Sequence, residues 1–166
     1  MGGRLQMHGH GERPRTQRGP EAVGRPPGER SVVVRRYRCT KCGATVTVAP
    51  RGVVRRRLYA ASAIGLALAL FGIQLESIPE VRAAIAPVAS VRDPAEGATW
   101  STLRRWAHEA KAGTLVAEAH ACPATFTLRQ AAERTATTLR ALGPRGAAVL
   151  ERVWEGAPEA HWGGAS

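Results

Sequence analysis

The chain has 166 residues with 24 Lys+Arg against 13 Asp+Glu, a formal net charge of +11, so it has room for one ordinary domain or two small ones. Its aromatic content is only 5%, which leaves any core to be built from Ala, Val and Leu. Three cysteines (Cys39, Cys42 and Cys122) exclude a disulfide framework, and the lack of an apolar h-region in residues 1–57 argues against a secretory leader. An intracellular, cytoplasmic bacterial protein is expected.

The charge is unevenly placed. Residues 1–57 hold 14 Lys+Arg against three Glu, whereas residues 58–166 hold ten of each sign. All the excess positive charge therefore lies in the first third, which points to a polyanionic partner there. Nucleic acid is the first candidate and an anionic membrane surface the second.

Residues 1–30 are rich in Gly, Pro and Arg without a hydrophobic period, and read as a disordered basic arm. "SVVVRRYR" (31–38) suits a short strand, 39–43 a turn, and "ATVTV" (44–48) a returning strand. A hairpin over 31–50 with Cys39 and Cys42 at its tip follows. Residues 58–73, "LYAASAIGLALALFGI", carry no charge. The charge-free run ends at Leu75, barely the ~18 residues of a membrane span, so a buried core helix is preferred. A single-pass span over 58–75, with Arg55, Arg56 and Arg57 as its cytoplasmic flank, is the alternative.

"SIPE" (77–80) fits a capping box that opens a short helix over 78–86, ended by Pro87. After a connector over 87–97, a helix is predicted over 98–112. Trp100, Leu103, Trp106, Ala107 and Ala110 fall on its inner face, and Gly113 is its stop. "TLRQ" (127–130) repeats the capping-box pattern before a stripe of Leu128, Ala132, Thr135, Leu139 and Leu142. A last helix is expected over 146–155 and a disordered tail over 157–166. The pair over 127–156 either closes the domain or supplies a homodimer surface through 128–155.

The order "RRYRCTKCG", a basic link, "SIPEVRAAI" and "STLRRW" resembles the zinc-ribbon and helix-turn-helix head of bacterial transposase-like proteins, over residues of about 31–112. The resemblance implies a mainly α fold: a short zinc-ribbon-like hairpin (31–50) followed by a helix-turn-helix-like domain (55–113). It also implies double-stranded DNA as partner, with the helix over 98–112 in the major groove. Ser101, Thr102, Arg104, Arg105 and His108 would then face base edges or phosphate. Arg35, Arg36, Arg38 and Lys41 on the hairpin, with Arg55, Arg56 and Arg57 beside the first helix, would grip phosphate without reading sequence.

Zinc requires four ligands, and Cys39 and Cys42 supply two. The family's ribbon has a second C-x-x-C upstream, which this chain lacks. His8 and His10 are one substitute pair; His120 and Cys122 are another. The preferred expectation is that the chain starts just after the missing cysteines, leaving an incomplete, weak zinc site. Catalysis is not expected. Asp93 is the only Asp, Glu76, Glu80 and Glu96 are scattered, and neither a carboxylate metal site nor a thiol-redox context is legible.

Overall fold

The computed structural model describes residues 7–87 and 100–163. Three strands, β1 (Met7–Gly19), β2 (Gly28–Cys39) and β3 (Thr45–Val48), form an antiparallel sheet in that order. Among the described residues five α-helices follow: α1 (Ala61–Gly72), α2 (Ile78–Ile85), α3 (Ser101–Lys111), α4 (Leu128–Leu142) and α5 (Val149–Gly156). The fold is thus mixed α/β, and the expected mainly α architecture is corrected by the long first strand.

That strand runs through residues read from sequence as a disordered arm. β1 pairs with β2 from Gly19↔Gly28 to Met7↔Cys39, with a bulge between Gly9 and Gly11. The β-branched run of β2 is a template whose backbone groups need a partner, and β1 satisfies them without needing hydrophobic alternation of its own. Pro14 is tolerated because β1 is the edge strand, where alternate backbone positions face solvent. The hairpin expected over 31–50 is present as β2 and β3, registered from Arg35↔Val48 to Arg38↔Thr45.

At about 3.4 Å per residue the β1–β2 ribbon is roughly 40 Å long. Its base is fixed to the helical body. The Arg18 N–H donates to the Leu58 carbonyl at 2.7 Å, and the Ala60 N–H donates to the Arg18 carbonyl at 3.3 Å. Arg15 Nη2 donates to the carbonyls of Val54 (3.0 Å) and Arg57 (2.9 Å). Gly19, at φ 129°, lies so close to α1 that an added Cβ would sit 2.5 Å from Ala63 Cβ. Beyond this base the ribbon is mostly solvent-exposed; along β2 only Val34 and Cys39 are buried.

α1 is the centre of the body. Every residue of it but Phe71 is buried, which explains why its sequence has no polar face. It packs against α2, α3, α4 and α5, and its small residues permit close approach: a Cβ at Gly72 would overlap the backbone of Glu133. Twelve residues make a helix of about 18 Å, short of a ~30 Å hydrocarbon layer. No helix among the described residues is long and apolar enough to cross a membrane, so a span over 58–75 lacks its helix.

Both capping boxes form. Ser77 Oγ accepts from the Glu80 N–H while the Glu80 carboxylate accepts from the Ser77 N–H at 2.7 Å. Thr127 and Gln130 do the same at the start of α4. α3 packs chiefly on α4 and α1, and the expected connector over 87–97 lies almost wholly outside the described residues. Ala132, Thr135 and Leu139 of α4 are buried in the core, whereas Leu142 at the end of the same stripe is exposed. The tail expected to be disordered is tied down as far as Gly163. A 3-10 turn at Ala157–Glu159 leads to Trp162, whose Nε1–H donates to the Ala157 carbonyl at 2.8 Å and whose backbone bridges Val116. The buried Ala157 and the half-buried Trp162 give this segment a packing reason that its Gly-rich composition concealed.

Candidate nucleic-acid interface

A cleft of about 480 Å³ opens where the base of the ribbon, residues 56–58, α2 and the start of α3 meet. Its wall contains five arginines, Arg18, Arg56, Arg57, Arg82 and Arg105, and its floor contains Tyr59, Trp100 and Trp106. The three rings pack edge to face, with centroids 5.1 Å apart for Tyr59–Trp106, 5.7 Å for Trp100–Trp106 and 6.2 Å for Tyr59–Trp100. This quadrupole-favoured geometry makes a rigid apolar platform. Trp100 and Trp106 therefore serve as core anchors, as expected, and also as part of the cleft.

Like charges in one cleft repel unless counter-ions offset them. Arg57 is paired with Glu109 at 2.5 Å and Arg18 with Glu29 at 2.8 Å. Among the described residues no ion pair involves Arg82 or Arg105. Arg82 is only 7% exposed, and its Nε and Nη1 are buried without a hydrogen-bond acceptor, as is Trp106 Nε1. Leaving a buried donor unsatisfied costs about 1–3 kcal/mol, and more when it is charged. Among the described residues the cleft is therefore short of anionic acceptors. At its mouth α3 begins with no side chain capping its first turn, so the helix dipole adds positive potential at Ser101 and Thr102. Burial pushes the Tyr59 hydroxyl above its ordinary range, opposed by the charge and hydrogen bond of Arg18.

The residues expected to touch nucleic acid fall into three groups: those in the cleft, those exposed beside it and those on the ribbon. Ser101, Thr102, Arg105, Arg56 and Arg57 line the cleft, and Arg56 does so from a left-handed backbone, φ 58°. Such a conformation costs roughly 1–2 kcal/mol for a residue bearing Cβ. Arg57 is largely committed to Glu109 and is mostly buried. Arg55, Arg104 and His108 are exposed but do not line the cleft.

Arg35, Arg36, Arg38 and Lys41 are exposed on the ribbon, far along the chain path from the cleft. Strand register places Arg36 and Arg38 on one face together with Arg13 of β1, while Val33, Tyr37, Val46 and Val48 share the other. Arg35 lies on that second face, paired with Glu12 at 3.1 Å. Sequence reasoning missed Arg13, Arg18, Tyr59 and Arg82. The ribbon register supplies the first two. Nothing local marks Arg82, which is flanked by Val81 and Ala83 on a short helix.

The thiols form a compact turn at the tip of the ribbon. Gly43, at φ 71°, donates its N–H to the Cys39 carbonyl at 3.0 Å. The backbone N–H groups of Cys42 and Lys41, then the Cys42 side chain, hold the Cys39 thiol below its ordinary range. This arrangement suits a metal thiolate, but it provides two donors of the four that zinc needs. His8 pairs with Arg38, so register puts it on the face opposite Cys39; the side chain of His10 lies outside the described residues. His120 and Cys122 belong to the loop after α3, in the helical body, with the Cys122 N–H bonded to the Lys111 carbonyl. Among the described residues no three His, Cys, Asp or Glu side chains gather as a metal site, and a closed tetrahedral zinc site does not fit them. Compared with protein-family models, with curated proteins and with solved structures, the chain matches none.

Proposed function

We propose that the chain is a nucleic-acid-binding protein, with double-stranded DNA as its first partner, that grips phosphate through the ribbon and the cleft at its base. The observation that carries this reading is the placement of charge. Arg13, Arg36 and Arg38 share one face of a ribbon roughly 40 Å long, and the base of that ribbon brings Arg18 to a cleft with four further arginines. A two-stranded ribbon is one of the elements the DNA major groove admits. Spaced arginines on such a ribbon track phosphate without reading sequence. α3 presents Ser101, Arg104, Arg105 and His108 outward and would lie against the same duplex. In this reading the likeness to a transposase head concerns DNA binding alone, and the C-x-x-C turn shapes the ribbon tip.

The test is a titration of the full chain with a labelled random duplex across a salt series. Binding should weaken steeply as salt rises. Replacing Arg13, Arg36 and Arg38 together with Ala should lower the logarithmic salt slope by about 2.7, at roughly 0.9 for each phosphate no longer neutralised. A slope that does not change removes the ribbon from the interface, and an absence of salt-dependent binding removes the function.

A further inference from the structure

We infer that the Arg82 cleft is a receptor for a phosphate monoester, the phosphorylated end of a nucleic-acid strand; this rests on the nucleic-acid reading above and names what that reading leaves open. Arg82 and Trp106 line one cleft, and among the described residues the donor atoms Arg82 Nε, Arg82 Nη1 and Trp106 Nε1 are buried without an acceptor. Because the guanidinium stays charged at any physiological pH, the acceptor that completes it is an anion. Its oxygens must meet donors converging from α2, from α3 and from the uncapped first turn at Ser101 and Thr102.

The number of acceptors separates the candidate anions. A carboxylate has two oxygens, and an internal phosphodiester has two non-bridging oxygens and one charge. A phosphate monoester has three terminal oxygens and a charge of about −1.5 to −2 near neutral pH. It brings the most acceptor positions and the most negative charge to Arg82, Trp106 and Arg105, the last without an ion pair among the described residues. Access separates them again. An internal phosphate rides on the outer surface of a duplex, whereas Arg82 shows only 7% of its surface within the cleft, so a chain end reaches it where an internal phosphate does not. The volume of about 480 Å³ lies within the ~300–1,000 Å³ range of small-ligand pockets. It has room for the terminal nucleotide as well as its phosphate, with Tyr59 and Trp100 as apolar walls.

The experiment compares oligonucleotides of one sequence, internally labelled, with 5′-phosphate, 3′-phosphate or hydroxyl ends, binding to the intact chain at fixed salt. One phosphorylated end should bind on the order of tenfold tighter than the hydroxyl end. Arg82→Met should erase that advantage, so that phosphorylated and hydroxyl ends bind this variant with equal affinity. Arg105→Gln, on an exposed position, should reduce the advantage without threatening the fold, and circular dichroism checks both variants. Equal affinity for all three ends, with salt-dependent binding intact, would overturn the receptor and leave the nucleic-acid function standing. A nucleoside monophosphate that quenches tryptophan fluorescence as tightly as the phosphorylated strand binds would overturn the strand-end form and make the ligand a free nucleotide. Loss of all binding in the ribbon triple variant, with monophosphate binding retained, would likewise detach the cleft from the strand.

Discussion

Tyr59 packs its ring edge to face on both Trp100 and Trp106, with its hydroxyl beside Arg18. Burial raises its folded pKa above that of an exposed tyrosine, about 10. The sign follows from linkage: between the unfolded and folded values the unfolded chain has released a proton that the folded chain keeps. The stability Tyr59 contributes is complete below the unfolded value and is lost as pH rises through the folded one. Tyr59→Phe removes this ionisation, so its urea midpoint should fall less than that of the parent chain between pH 9 and about 11. An identical alkaline loss in both chains would show that Tyr59 titrates as an exposed group. The same scale explains the arginines: those at 55, 56 and 57 are equivalent as letters, yet one is exposed, one is bent into the cleft wall and one is mostly buried against Glu109.

At the scale of elements, the helices were the more legible part of the chain. Capping boxes at Ser77 and Thr127, the inner face of α3 and the charge-free α1 are all local patterns, and each is where sequence reasoning put it, within a few residues. β1 was not legible, because an edge strand paired on one side needs no apolar alternation and can include Pro14. The packing of α1 on α4 depends on Gly72, which lies against the Glu133 backbone. Gly72→Ala forces the two helices apart, since backbone cannot move aside as a flexible side chain does. It should lower stability by about 1–3 kcal/mol, the usual cost of overpacking, despite the better helix propensity of Ala. A midpoint shift within ±0.5 kcal/mol of the parent in urea unfolding would show that α1 and α4 pack more loosely than the Gly72 geometry implies.

At the scale of the molecule, the segments expected to be separate units share one core. Val54, Tyr59, α1, Val81 and Ile85 of α2, Trp106, Leu139 of α4, Val153 of α5 and Ala157 form a single buried cluster. The helical pair over 127–156 is therefore part of the domain that includes α3, and not an appendage. Unfolding followed by tryptophan fluorescence, which reports Trp100 and Trp106 as well as Trp154 and Trp162, should coincide with far-ultraviolet circular dichroism in one transition. Two separated transitions would mean that the carboxyl-terminal pair folds by itself.

The sequence by itself determined where the positive charge lies, where helices begin, and that the charge-free run over 58–73 belongs in an apolar setting. These are consequences of nearest-neighbour chemistry: charge counts, caps and the absence of a polar face. Only the tertiary structure decided that the amino-terminal segment is half of a long ribbon, and that Arg18, Arg82 and Arg105 meet over an aromatic floor. Those residues are 64 and 23 positions apart in the chain. Their meeting depends on strand register and helix packing, which no local pattern encodes. The C-x-x-C turn illustrates the division: its conformation is local and was legible, whereas the ligands beside it depend on what the fold brings near, and among the described residues no three His, Cys, Asp or Glu gather there.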